Sequence, residues 1–175
     1  MKNSSDKGIY FRLINQGIPI KIDTSSYNSD LNMLVTYSDM SGSSLEVDQI
    51  SQGKDFVCNV KVWSTANKKL DEIALTTVFP SGWEIHNDRL DEFNHGVRNS
   101  YEYQDIRDAR VMTYFDLPNK GTLQFQFMLN ASYTGDYYLP PAYVEAMYDP
   151  EISARSAGKR TKVAKENTAT TSISK

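Results

Sequence analysis

The sequence predicts an all-β fold, an antiparallel β-sandwich of seven or more strands, and three observations carry that prediction. Apolar residues recur at every second position through most of the chain, the period of strands with one buried face. Clusters of Gly, Pro, Asn and Ser separate these runs, as turns between strands require. No segment shows a convincing helical period. The alternation also selects the sheet type, because parallel sheets covered on both faces read as continuous apolar runs.

The elements follow in order. Ile9, Phe11 and Leu13 alternate with Tyr10, Arg12 and Ile14 before Gly17-Ile18-Pro19 breaks the run. Leu31, Met33, Val35 and Tyr37 form the next strand, ending near Ser41-Gly42-Ser43. A Gln52-Gly53-Lys54 turn leads into Phe56 to Val62, and Ile73, Leu75, Thr77 and Phe79 follow, closed by Pro80-Ser81-Gly82. The polar stretch from His86 to Asn99 reads as a long loop. Beyond it, Val111, Thr113, Phe115 and Leu117 precede a turn at Pro118-Asn119-Lys120-Gly121. The cleanest alternation is Leu123, Phe125, Phe127, Leu129, Ala131 and Tyr133, with Gln124, Gln126, Asn130 and Ser132 opposite. Residues 1–7 read as a flexible leader, 8–163 as one sandwich domain, and 164–175, with almost no apolar content, as a disordered tail.

Composition narrows the function. A chain of 175 residues, 39% apolar and 23% charged, can bury a sizeable core without disulfides or metal. The formal net charge is −3 and the basic residues are scattered, which argues against a nucleic-acid partner. No apolar run approaches the roughly 20 residues of a membrane span, and MKNSSDKGIYFRLIN lacks the apolar core of a signal peptide. The single cysteine, Cys58, excludes an internal disulfide and falls on the apolar side of its strand, where a small buried hydrophobe belongs.

Candidate chemistry is sparse. His86 and His95 lie in or beside the polar loop near Asp88, Asp91 and Glu92, but no spacing matches a zinc pattern and no metal is expected. Asp105, Arg107, Asp108 and Arg110 form a dense charged run in which each acid has an arginine within a few residues. Arginine keeps carboxylates ionised, so these four read as a structural ion-pair network rather than a catalytic pair. No P-loop, dinucleotide fingerprint or Gly-x-Ser-x-Gly elbow occurs. The chain reads as a non-enzyme without a cofactor.

Tyr133, Tyr137, Tyr138, Tyr143 and Tyr148 fall near one another in sequence. Core residues, a sugar-stacking platform and a protein contact all fit such a set. Within it, LPPAYVEAMYDPEISAR runs from Leu139 to Arg155. Pro140-Pro141 must open a strand or lie at a sheet edge. The strand then carries Met147 and Tyr148, which alternation places on opposite faces.

Several segments together resemble the C-terminal macroglobulin-like domain of bacterial alpha-2-macroglobulins. They are Ile9 to Leu13 with Gly17-Ile18-Pro19, LTTVFPSGWEI from Leu75 to Ile85, YQDIRDARVMTYFDL from Tyr103 to Leu117, and YYLPPAYVEAMYDPEISAR from Tyr137 to Arg155. Their order and spacing extend the resemblance over roughly residues 8 to 163. It implies a macroglobulin-like, immunoglobulin-like sandwich, with other macroglobulin-like domains and a thioester domain of a larger parent as partners. That parent would be a protease trap anchored in the periplasm-facing cell envelope, whose thioester captures proteases. Cys58 precedes Asn59-Val60-Lys61, so the thioester would lie elsewhere in the parent, of which this chain would be a C-terminal piece. Carried over by resemblance, Met147 and Tyr148 would face the thioester domain and shield it. A stand-alone adhesion or carbohydrate-binding module using the tyrosines is the alternative, and a hydrolase built around Asp105 a weaker third.

Overall fold

The computed structural model describes residues 24–86 and 101–165, together with Gly8, Tyr10, Arg12 and Ile14. The strand expected around Ile9, Phe11 and Leu13, the loop beyond His86, His95, the leader 1–7 and the tail beyond Lys165 lie outside the described residues.

Among the described residues every regular element is a strand. In chain order these are β1 (Tyr27–Asn28), β2 (Leu31–Asp39), β3 (Gln49–Ser51), β4 (Asp55–Ser64), β5 (Leu70–Val78), β6 (Glu84–Ile85) and β7 (Tyr103–Arg107). β8 (Arg110–Leu117), β9 (Thr122–Asn130), β10 (Gly135–Leu139), β11 (Tyr143–Ala146), β12 (Asp149–Arg155) and β13 (Lys159–Ala164) complete the set. β13 therefore includes Ala164, the residue at which the sequence reading began the tail.

One sheet has six strands in the order β1-β12-β11-β5-β8-β7, a second four in the order β2-β4-β9-β6, and a third three in the order β10-β13-β3. All pairings are antiparallel except β13 with β3.

The strongest alternation builds the centre. β4 and β9 pair over nine positions, from Asp55 opposite Asn130 to Trp63 opposite Thr122. Phe56, Cys58, Val60 and Val62 are buried on one strand, Phe125, Phe127 and Leu129 on the other. The period of two sends every second residue to one face, and Asn59 and Gln126, paired by a 2.7 Å hydrogen bond, occupy the opposite face. The six-stranded sheet packs against this one. Phe115 of β8 meets Phe125 of β9 with ring centroids 4.8 Å apart, and Phe79 meets Phe127 at 6.0 Å. Each such ring stabilises the fold by about 1.5–3 kcal/mol through burial, and aromatic pairing adds about 0.5–1.5 kcal/mol.

One expected core position moves outward. β9 ends at Asn130, Ala131 is still buried, and Tyr133 is exposed. Once the ladder ends, alternation no longer dictates the side of the next residues. The Tyr133 N–H instead donates to the Gly82 carbonyl at 3.0 Å.

Candidate functional site

The Leu139–Arg155 stretch folds as a proline-led link, a central strand and a projecting turn. Pro140 and Pro141 fill the gap between β10 and β11, where no ladder N–H is needed. The link is held by Ser156: the Ala142 N–H donates to Ser156 Oγ at 2.8 Å, and the Ser156 N–H donates to the Ala142 carbonyl at 3.0 Å. β11 then runs between β5 and β12, with Val144 and Ala146 facing the core. Ala146 pairs with Asp149 while Glu145 pairs with Ser153, so Pro150, Glu151 and Ile152 are accommodated in a bulge of β12. A bulge tolerates a proline, since no partner awaits its missing N–H.

Met147 and Tyr148 form the turn itself. Alternation along a strand therefore does not apply to them, and the expected inward–outward division is replaced by two outward side chains. Tyr148 is 84% exposed and Met147 47%. The turn is nevertheless tied down, because the Met147 N–H donates to the Glu72 carbonyl at 2.9 Å.

Glu72 was not apparent as a site residue in the sequence. β5 pairs Leu70 with Leu117 and Ile73 with Phe115, so Asp71 and Glu72 oppose Asp116 alone. Glu72 adopts φ +55°, the left-handed region that non-glycine residues rarely enter. Its N–H donates to Asp116 Oδ1 at 3.1 Å. Asp116 Oδ2 accepts from Lys69 Nζ at 2.6 Å, and Lys69 also pairs with Asp71. The Lys69 hydrogen bond, followed by that of the Glu72 amide, holds the Asp116 carboxyl below the usual range. In sequence, Lys69-Leu70-Asp71-Glu72 resembles any solvated charged face; nothing local marks the bulge.

The other candidate residues are placed as follows. Arg107 Nε donates to Asp105 Oδ2 at 2.8 Å, the one ion pair the described residues show among the expected four. Asp108 lies in the hairpin turn with φ +30°, and Arg110 stands across from Arg107 at the start of β8. His86 Nε2 lies 3.4 Å from Asp55 Oδ1. Among the described residues no group of three or more His, Cys, Asp or Glu could hold a metal ion.

A cleft of about 280 Å³ runs past Tyr37, Cys58, Phe79, Leu139, Pro140 and Lys159. Burial pushes the Cys58 thiol up to about 12, so it is protonated at neutral pH and not nucleophilic.

The tyrosines serve separate purposes. Tyr137 donates its hydroxyl to the Tyr133 and Thr134 carbonyls at 3.0 and 3.1 Å. Tyr143, on the six-stranded sheet, donates to Glu145 Oε2 at 3.0 Å. Only Tyr148 stands on the projecting turn.

The class of protein this fold defines is an all-β sandwich of three sheets, with a proline-led strand near its C-terminal end. The family model described as the bacterial alpha-2-macroglobulin MG10 domain matches residues 32–151, and the chain belongs to that family. A curated relative, the alpha-2-macroglobulin homolog of Yersinia pestis, is 25% identical across 84% of this chain. The alpha-2-macroglobulin of Pasteurella multocida is likewise 25% identical, across 90%. This chain spans 8% of the length of each. Salmonella alpha-2-macroglobulin reacted with methylamine superposes with a TM-score of 0.74 at 17% identity, over 85% of this chain and 10% of that one. The native Escherichia coli protein, from its domain MG7 to its C-terminus, gives 0.71 at 17% identity, over 86% and 25%. These two likenesses concern the fold.

Proposed function

We propose that this domain is a noncatalytic part of a bacterial alpha-2-macroglobulin protease trap and that its Met147–Tyr148 turn packs on the thioester domain. The observation that carries this reading is the pair of apolar side chains held out from the end of a central strand, with Tyr148 84% exposed on an anchored turn. Burying such a pair against a neighbour removes apolar area from water at roughly 25 cal/mol per Å². A thioester survives only where water and amines are excluded, and a thioether beside an aromatic ring excludes both. The Salmonella relative was reacted with methylamine, a small amine of the kind such a shield would hold off. In this reading other macroglobulin domains of the parent are further partners, proteases meet the domain only through the parent, and the assembly faces the periplasm.

The test is Tyr148→Ala in the intact parent. Basal uptake of methylamine should rise severalfold, while protease inhibition by the isolated 175-residue chain should be undetectable. Unchanged uptake would remove the shielding role.

A further inference from the structure

The Met147–Tyr148 turn is anchored not by its own hairpin but by a neighbouring strand, through one residue in an unusual conformation. Glu72 has φ +55°, and its two backbone polar groups point to two different masters. Its N–H donates to Asp116 Oδ1 at 3.1 Å, and its carbonyl accepts from the Met147 N–H at 2.9 Å. The carbonyl continues the β5–β11 register, in which Tyr143 to Ala146 face Thr76 to Ile73. The N–H, which a regular antiparallel pair would also spend on the facing strand, goes instead to the Asp116 side chain. The bulge exists because Asp71 and Glu72 together oppose Asp116. Left-handed backbone at a glutamate is costly and persists only where the surroundings over-determine it. Here the surroundings are the Asp116 carboxylate, closed from its other side by Lys69, which also pairs with Asp71.

We infer that Asp116 is a positioning residue for the Met147–Tyr148 turn, acting through the Glu72 bulge. Asp116 does not touch the turn. It holds the Glu72 N–H and with it the left-handed φ of Glu72. That conformation aims the carbonyl, on the far side of the Cα, at the Met147 N–H and thereby sets the direction in which Met147 and Tyr148 leave the sheet. The positioning itself follows from the geometry; only its consequence for the parent rests on the shielding reading.

Two readouts separate the claims. In the 175-residue chain, amide hydrogen exchange at Met147 is compared between wild type, Asp116→Ala, Asp116→Asn and Glu72→Gly. Asp116→Ala should speed exchange at Met147 about tenfold or more through local opening, while Val60 and Phe127 in the β4–β9 ladder stay protected as before. Asp116→Asn keeps an oxygen acceptor for the Glu72 N–H and should recover most of the protection. Glu72→Gly, free to adopt left-handed backbone, should keep the Met147 hydrogen bond, which guards against reading a folding failure as a positioning effect. Unchanged Met147 exchange in Asp116→Ala would overturn the proposal, as would a uniform rise across Met147, Val60 and Phe127. In the parent, Asp116→Ala should raise methylamine uptake in the same direction as Tyr148→Ala. If Asp116→Ala frees Met147 while Tyr148→Ala leaves uptake unchanged, the positioning stands and the shielding fails. If Tyr148→Ala raises uptake while Met147 exchange ignores Asp116, the reverse holds.

Discussion

Trp83 and Tyr148 occupy comparable places in the chain and end in opposite environments. Each is a large aromatic in a turn region shortly after proline: Pro80-Ser81-Gly82-Trp83 in one case, Pro140-Pro141 and the short β11 in the other. Trp83 is 2% exposed, Tyr148 84%. The Trp83 ring stands edge-on to Phe56 at 4.9 Å and to Tyr37 at 6.0 Å. Its turn closes by an N–H to the Pro80 carbonyl at 2.9 Å, and Gly82 beside it lies under the Tyr137 ring. Among the described residues Tyr148 meets no such set of ring partners. An aromatic after proline is thus no guide to burial by itself; what decides is whether distant strands bring partners to it.

The most severe test of this contrast is to truncate both rings. Trp83→Ala should destabilise the chain by about 3–5 kcal/mol, because it opens a cavity among packed rings. Tyr148→Ala should stay within about 0.5 kcal/mol of wild type, as exposed substitutions do. Urea unfolding of the two variants measures the difference, and comparable losses would break the comparison.

A smaller effect sharpens it. A Cβ at Gly82 would lie 2.3 Å from the Tyr137 ring, and that ring is pinned by its hydroxyl bonds to the Tyr133 and Thr134 carbonyls. Gly82→Ala should therefore cost about 1–3 kcal/mol by overpacking, read as a lowered thermal midpoint. Tyr137→Ala in the same background should make the added methyl nearly silent.

The smallest effect concerns how each turn is anchored. The Trp83 turn is held by ring packing and its own hydrogen bond to Pro80, the Met147 turn by the Glu72 carbonyl, whose residue a carboxylate positions. Asp116 is held below the usual carboxylate range, first by the Lys69 hydrogen bond and then by the Glu72 amide, with Asp71 the other acid facing it. A depressed folded pKa means its contribution is complete above the ordinary value of about 4 and is lost as pH falls through the folded value. Corrected for intrinsic chemistry, Met147 exchange should rise on acidification below about pH 4 while Trp83 exchange does not. Asp116→Asn should abolish that pH dependence.

Much of the fold was legible because it rests on local period. β4 and β9 announce their buried faces through Phe56, Val60, Phe125 and Leu129, and the turns at Gly53 and Gly121 lie where the breakers stand. β13 was harder to see. Its buried Thr161 and Val163 alternate with Arg160 and Lys162, and a small apolar face between charges resembles a loop. Tyr133 misled because it kept the alternation past the point where the ladder ends. At the site, the proline-led start was readable, but Met147 and Tyr148, expected on opposite faces of the strand, form the turn beyond its end. The anchor was not, since Lys69, Asp71, Glu72 and Asp116 are brought together by a two-against-one register between strands more than forty residues apart in sequence.

The sequence alone determined the alternation, the turn positions, the burial of Cys58 and the family resemblance, because each depends on residues close together or on a motif in order. The tertiary structure alone decided that Trp83 turns inward and Tyr148 outward, and that Glu72 enters left-handed backbone to hold Met147. Burial and strain are properties of what surrounds a residue, and those surroundings come from strands the local sequence does not contain.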